Sequence, residues 1–405
     1  MTEGEPQTSE VVRGASRLAF DAIEQVSLLV EQMHANISAA SPALGKGTDG
    51  RTRGITGLVY GGVRLGNSIS RSILDQALKI LPSQNLATLA SPSSPHSDAA
   101  RSALNGVMGD TLFETENPLA IPMRLRRQGQ PLTLDRDALT HSIPEASGKI
   151  LIVVHGLCMN DRQWKRDGHD HAAELAREGG YTPVYLNYNS GRHVSENGRD
   201  LASILERLVE AWPVPVTELS VLAHSMGGLL TRSAVHYGGE AGHRWLATLR
   251  RIAFLGTPHH GAPLERGGQS FTSGLEFSPY TAPFARLTWL RSAGITDLRH
   301  GNLLDEDWHA HDRFETKGDM RRPLSLPPDI ECYALAATTG KIRGNLVDRL
   351  LGDGLVPVAS ALGQHRDVAR DLGFPESHQS ICTGINHMEL LSDSKVYAEL
   401  RDWLV

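Results

Sequence analysis

An α/β fold, with a mostly parallel central sheet and helices on both faces, is predicted for the larger part of this sequence by three observations. From about residue 116 onward, short apolar or β-branched runs alternate with helical patterns. An antiparallel hairpin leads into them, and one strand turns abruptly into a helix through Ala223-His224-Ser225-Met226-Gly227-Gly228. Alternation of this kind specifies parallel strands covered by helices.

At 405 residues the chain exceeds the usual single-domain size, so one large domain plus an addition is expected. The addition is read at the N-terminus. Apolar residues recur every three to four positions from Val11 to Ile37, and again from Ile55 to Ile80, where Pro82 stops the pattern. Gly57, Gly61, Gly62 and Gly66 in the second pattern each cost about 1 kcal/mol of helix propensity, which points to close packing against another helix. Ser, Pro, Ala and Gly-rich runs over Ser38–Gly50 and Ser83–Ser97 read as linkers. The expected division is a helical extension over residues 1–98 and a catalytic domain over 116–405.

In the second part, Leu119–Arg127 and Leu132–Leu134 read as a hairpin about the Gln128-Gly129-Gln130 turn. Buried strands are expected at Ile150–Val154, Thr182–Leu186, Leu219–Leu222, Ile252–Leu255 and Ile330–Ala336, each short and followed by loop or helix signals. A last helix is expected over Leu390–Leu404.

Composition narrows the function classes. A net charge of −6 without a long block of one sign gives no ground for nucleic-acid binding. Cys158, Cys332 and Cys382 lie far apart and show no metal-ligand spacing, which fits reduced thiols. Met1–Glu10 is polar and acidic, so no secretory signal is expected, and no apolar run is long enough to span a bilayer. A cytoplasmic protein, at most peripheral at a membrane, is expected. Arg51, Arg53, Arg64, Arg71 and Lys79 beside an apolar face would suit an anionic membrane surface. The preferred reading is helix-on-helix packing on the rest of the chain or on a second copy of it.

The chemistry is read from Ser225. Leu219–Leu222 is a strand and Gly227–Arg232 opens a helix, so Ser225 falls on the sharp turn that exposes a nucleophile at the end of a sheet. A serine hydroxyl is a weak nucleophile near neutral pH and needs a histidine base oriented by a carboxylate. Downstream, Asp353 sits among turn residues in Gly352-Asp353-Gly354-Leu355-Val356-Pro357, after the last expected strand; Asp297, Asp305 and Asp307 precede that strand. His387 lies just before the last helix, whereas His365 and His378 lie in a more polar stretch. Two backbone N–H donors must face the oxyanion. Met226, after the nucleophile, is one candidate; Leu157, after His155-Gly156 at the end of a central strand, is the other.

His155-Gly156, Ala223-His224-Ser225-Met226-Gly227-Gly228, Gly256-Thr257-Pro258-His259-His260-Gly261 and Asp353-Gly354-Leu355-Val356-Pro357 occur in the order found in bacterial lipases and esterases of the α/β-hydrolase superfamily, which the chain resembles over about residues 116–405. The resemblance implies an α/β-hydrolase fold, a Ser225-Asp353-His387 triad and no cofactor. It also implies that the histidine-rich segment shapes the site; His259 and His260, as neighbours in sequence, point in different directions and are not read as a metal site, and Cys158 is read as a packed small residue rather than a second nucleophile. The usual first glycine of the elbow is Ala223 here.

About 70 residues separate the strands ending at Leu255 and starting at Ile330, far more than a plain connection needs, and an insertion over 262–328 is read as a cap. Phe271, Leu275, Phe277, Tyr280, Phe284, Leu287 and Trp289 within it suit an acyl pocket or packing of the cap on the core. The expected activity is hydrolysis of a small-molecule or lipid carboxylic ester. Acyl transfer to another acceptor, thioester hydrolysis and depolymerisation of a storage polyester share the acyl-serine intermediate, and a non-catalytic binding protein shares the fold.

Overall fold

The computed structural model describes residues 95–262, 292–309, 321–340 and 352–405. The two N-terminal helical patterns, the linker over Ser38–Gly50 and the aromatic segment from Phe271 to Trp289 lie outside the described residues. One compact unit takes in Pro95–Glu114 and Ala120–Val405.

That unit opens with helix α1 (Pro95–Glu114), which begins inside the run read as a linker and is kinked at Met108. Proline suits a first helical position because its missing N–H would have no intrahelical acceptor there. The hairpin follows as β1 (Arg124–Arg127) and β2 (Gln130–Pro131), shorter than expected on both arms. Gln128 and Gly129 have φ of 52° and 76°, the paired positive values whose twist matches a tight hairpin. Leu132–Leu134 leaves the sheet and packs its leucines against the core, so apolarity there reflects burial rather than strand pairing.

Parallel units then alternate: helix α2 (Arg136–Ser142), β3 (Lys149–Val154), helix α3 (His171–Gly179), β4 (Thr182–Asn187), helix α4 (Val194–Ala211), β5 (Glu218–His224), helix α5 (Met226–Glu240) and β6 (Leu249–Leu255). Helix α6 (Ala293–His300) belongs to the stretch expected as a cap, and β7 (Glu331–Thr338), β8 (Gln379–Thr383) and helix α7 (Ser394–Leu404) complete the unit. The expected last helix is two pieces, a 3-10 turn at Glu389–Leu391 and α7, because Asp393 caps the backbone N–H of Lys395 and restarts the helix.

The eight strands form one sheet in the order β2-β1-β4-β3-β5-β6-β7-β8. The pairs from β4 to β8 are parallel, and β1 joins β4 antiparallel. β8 is missing from the sequence reading: Gln379-Ser380-Ile381-Cys382-Thr383 is too polar to look like a buried strand, and as an edge strand it is mostly half-buried.

Alternation along β3 shows how the sheet makes two cores. Ile150, Ile152 and Val154 face one apolar cluster with Leu205, Trp212 and Leu230; Leu151 and Val153 face another with Leu175, Leu390 and Leu400. Neighbouring side chains on a strand point to opposite faces, and both faces are covered by helices, so all five residues are fully buried. Ile152→Ala is expected to lower unfolding free energy by about 3 kcal/mol through lost burial and a cavity, measurable by urea denaturation of the full chain.

Candidate active site

Ser225 stands between β5 and α5 with φ 55° and ψ −125°, a conformation that a non-glycine residue holds only when its surroundings impose it. The surroundings are identifiable. The Ser225 N–H donates to Leu255 O at 2.8 Å on the neighbouring strand, and Gly228 N–H donates to Ser225 O at 3.0 Å. The elbow helix passes so close to β3 that a Cβ on Gly227 would lie 2.5 Å from Val154 O, and one on Gly228 would lie 2.0 Å from Thr257 Oγ1. These two positions therefore require glycine. Ala223 in place of the usual glycine fits because it lies within β5 and is fully buried in the core.

Asp353 and His387 meet although they lie 34 positions apart: Nδ1 of His387 is 2.6 Å from Asp353 Oδ2, and both residues are buried. The loop geometry reserves that oxygen. Asp353 Oδ1 accepts from the N–H groups of Leu355 at 3.0 Å and Val356 at 2.9 Å, while the His387 N–H donates to Asp353 O at 3.0 Å. An Nδ1–H donated to the carboxylate leaves Nε2 as the basic nitrogen. Gly256, just past β6, makes room for the pair: a Cβ there would lie 3.1 Å from Asp353 Oδ2 and 3.2 Å from His387 Cε1. Asp297, Asp305 and Asp307 serve elsewhere. Asp297 binds His193 at 2.9 Å, Asp305 pairs with Arg199, and Asp307 braces the backbone of Leu303 and Leu304.

His224 and His155 are the site's scaffold histidines. His224 Nε2 donates to His387 O at 3.1 Å, and the two rings lie 4.6 Å apart. Burial holds His224 neutral, with its pKa pushed well below the usual value. His155 stacks on Tyr188 at 4.4 Å, and burial lowers its pKa to about 4. Gly156 passes beside the elbow, where a Cβ would lie 3.0 Å from Ser225 Cβ. Met226 is the first residue of α5, so its N–H has no intrahelical acceptor. Leu157 is half-buried on the loop after β3, and its side chain packs on the same apolar cluster as Met226.

The sequence reading missed what holds that loop. Cys158 adopts φ 61°, its N–H donates to Ser190 Oγ at 3.0 Å, and helix α1 presses on it: a Cβ on Gly106 would lie 2.8 Å from Cys158 Cα. Helix α1 is anchored by Asn189 Nδ2 donating to Gly109 O at 2.8 Å and by a buried Arg126–Asp161 pair at 3.1 Å joined to Asp98. The visible signal was Gly106-Val-Met-Gly109, two glycines one helical turn apart. Burial pushes the Cys158 thiol up to about 12, so it stays protonated and unreactive.

The fold is that of the α/β-hydrolases, a mostly parallel sheet with helices on both faces; here a strained serine stands between a strand and a helix, and a buried His-Asp pair lies after later strands. Residues 145–320 match the model of the PGAP1-like alpha/beta domain. Among solved structures the chain is similar to the mature lipase BlEst2 of Bacillus licheniformis, at 17% identity over 63% of this chain and 91% of that one, with a TM-score of 0.42. Aspergillus fumigatus lipase B is similar at 12% identity over 68% of this chain and 58% of that one, with a TM-score of 0.39. Staphylococcus hyicus lipase is similar at 14% identity over 63% of this chain and 93% of that one, with a TM-score of 0.34. No curated protein matches the chain.

Two outcomes are expected here. Gly106→Val is expected to destabilise the chain by about 1–3 kcal/mol, read by thermal melting, because the new methyls collide with the Cys158 backbone. Acid is expected to destabilise the fold as pH falls from about 6.5 towards 4. In that window a histidine like His155 binds a proton when unfolded and not when folded, so stability rises with pH. Urea unfolding at pH 7 and pH 4.5 should show the loss, and His155→Gln should reduce it.

Proposed function

We propose that this protein hydrolyses carboxylic esters through an acyl-serine intermediate, with Ser225 as nucleophile, His387 as general base and acid, and Asp353 orienting the imidazole. The observation that carries the reading is the buried 2.6 Å contact between His387 and Asp353, beside the glycine that follows β6. A histidine so held presents Nε2 to take the Ser225 proton as the hydroxyl attacks the ester carbonyl. The carbonyl oxygen becomes an anion, and the N–H groups of Leu157 and Met226 are its donors. His387 returns the proton to the departing alcohol; water, deprotonated by the same nitrogen, then releases the carboxylic acid and regenerates Ser225.

An apolar acyl chain is the substrate class that the surroundings of these donors support. Met226, Leu229, Ile295, Leu298 and Leu304 form an apolar cluster against which Leu157 packs, so the carbonyl is held next to hydrocarbon rather than to charge. We assign the cap over 262–328 to substrate access, and the N-terminal extension over 1–98 to contact with a lipid surface or a second chain.

Ser225→Ala is expected to abolish turnover of short and medium acyl esters, by at least about 10³-fold in kcat, with unchanged melting. A fluorophosphonate probe should label the native chain and spare that variant. Retained hydrolysis by Ser225→Ala, or labelling elsewhere, overturns the assignment. Asp353→Asn should lower kcat by about 10³–10⁴-fold, because it no longer selects the tautomer with a basic Nε2.

A further inference from the structure

Of the two N–H groups proposed for the oxyanion, that of Met226 is aimed by the first turn of α5, whereas that of Leu157 lies on the loop after β3, where no regular element sets its direction. Its direction is set by its own peptide. The N–H of Leu157 and the carbonyl of Gly156 belong to one planar trans peptide and point in opposite directions, so whatever holds Gly156 O also aims the Leu157 N–H. Gly156 supplies no hold of its own. It passes beside the elbow, where a Cβ would lie 3.0 Å from Ser225 Cβ, and the missing Cβ that permits this approach also leaves the peptide plane easy to turn.

Side chains supply the hold, on three consecutive peptides. The Tyr188 hydroxyl donates to His155 O at 3.0 Å, His155 Nδ1 lies 2.9 Å from Gly156 O, and the Cys158 N–H donates to Ser190 Oγ at 3.0 Å. A carbonyl only accepts, so the contact to Gly156 O requires the hydrogen on Nδ1. Burial keeps the ring neutral, which leaves Nε2 without a hydrogen, and Nε2 has no partner among the described residues. The ring is itself oriented by Tyr188, stacked at 4.4 Å with 22° between the planes. Amid these bonds the Leu157 N–H makes no hydrogen bond among the described residues. Burying an unpartnered ring nitrogen is costly, and a phenylalanine at position 155 would stack on Tyr188 without that cost. What histidine adds there is the bond from Nδ1 to Gly156 O.

We propose that His155 is a positioning residue for ester hydrolysis: its Nδ1–H holds the Gly156 carbonyl and thereby keeps the Leu157 N–H aimed at the oxyanion that forms at Ser225. A turned peptide would present a carbonyl, an acceptor, where the developing anion needs a donor. Tyr188 acts one step further back, by holding the ring and the carbonyl of His155. The proposal rests on the reading of Ser225 as nucleophile.

The test uses the full chain and two substitutions at one position. His155→Phe keeps a ring to stack on Tyr188 and loses the donor, whereas His155→Asn keeps an N–H two bonds from Cβ, where Nδ1 stood. On a medium-chain ester His155→Phe should lower kcat about 10²-fold and leave KM within about twofold of wild type, the pattern of an interaction made only in the transition state. His155→Asn should recover about tenfold of that loss. A trifluoromethyl ketone, whose serine adduct carries the same oxyanion, should bind His155→Phe more weakly by the factor lost in kcat/KM. Wild-type kcat in His155→Phe overturns the proposal, and so does a loss that His155→Asn shares in full or that falls on KM alone. If His155→Phe does not fold, Tyr188→Phe decides: it keeps the stacked ring, should lower kcat about tenfold at unchanged KM, and overturns the proposal if kcat is that of wild type. Hydrolysis that survives Ser225→Ala removes the reading beneath the proposal. Hydrolysis lost in Ser225→Ala but intact in His155→Phe removes the proposal alone.

Discussion

The backbone of Ser225 is the constraint on which the site depends. A residue with φ 55° and ψ −125° is strained by about 1–3 kcal/mol, and the strain persists because neighbours on both sides forbid relaxation. Leu255 O holds the Ser225 N–H, while Gly227 and Gly228 let α5 descend onto the carbonyls of Val154 and His155 and onto Thr257. Three adjacent strands, β3, β5 and β6, thus converge on one turn. Their registers, Val154 beside Ala223 and His224 beside Leu255, bring the loop after each to the same end of the sheet.

From that convergence the remaining geometry follows. Parallel strands place all their C-terminal ends on one edge, so the loops carrying His155, Ser225, Gly256 and Asp353 are neighbours without being close in sequence. Asp353 and His387 are then fixed locally, Asp353 by the two backbone donors on its first oxygen and His387 by its own N–H on Asp353 O. His224 adds a brace from the elbow itself, donating to His387 O. The turn at Ser225 and the loop of His387 are therefore tied directly as well as through the sheet.

Helix α1 extends the same logic to the loop after β3. Gly106 and Gly109 bring a helix backbone against Cys158, Asn189 and Gly191, and Ser190 takes the Cys158 N–H. The segment that carries Leu157 is clamped between this helix and the loop after β4. An element upstream of the first strand thereby becomes part of the same compact unit, and helix α6 is joined to it by Ser292 Oγ donating to Gly106 O.

What the sequence determined by itself was the information that is local or periodic. Apolar runs such as Ile150–Val154 announce buried strands, Ala223–Gly228 announces a tight strand-to-helix turn, and Gly352-Asp353-Gly354 announces a loop that displays a carboxylate. These sufficed for the fold class; Asp353 and His387, singled out from the same local signals, lie 2.6 Å apart in the folded chain. Only the folded chain decided the rest, because it depends on neighbours distant in sequence. β8 is a strand because β7 offers an edge, the leucines after the hairpin are half-buried against the core without joining the sheet, and Gly106 matters because Cys158 lies against it.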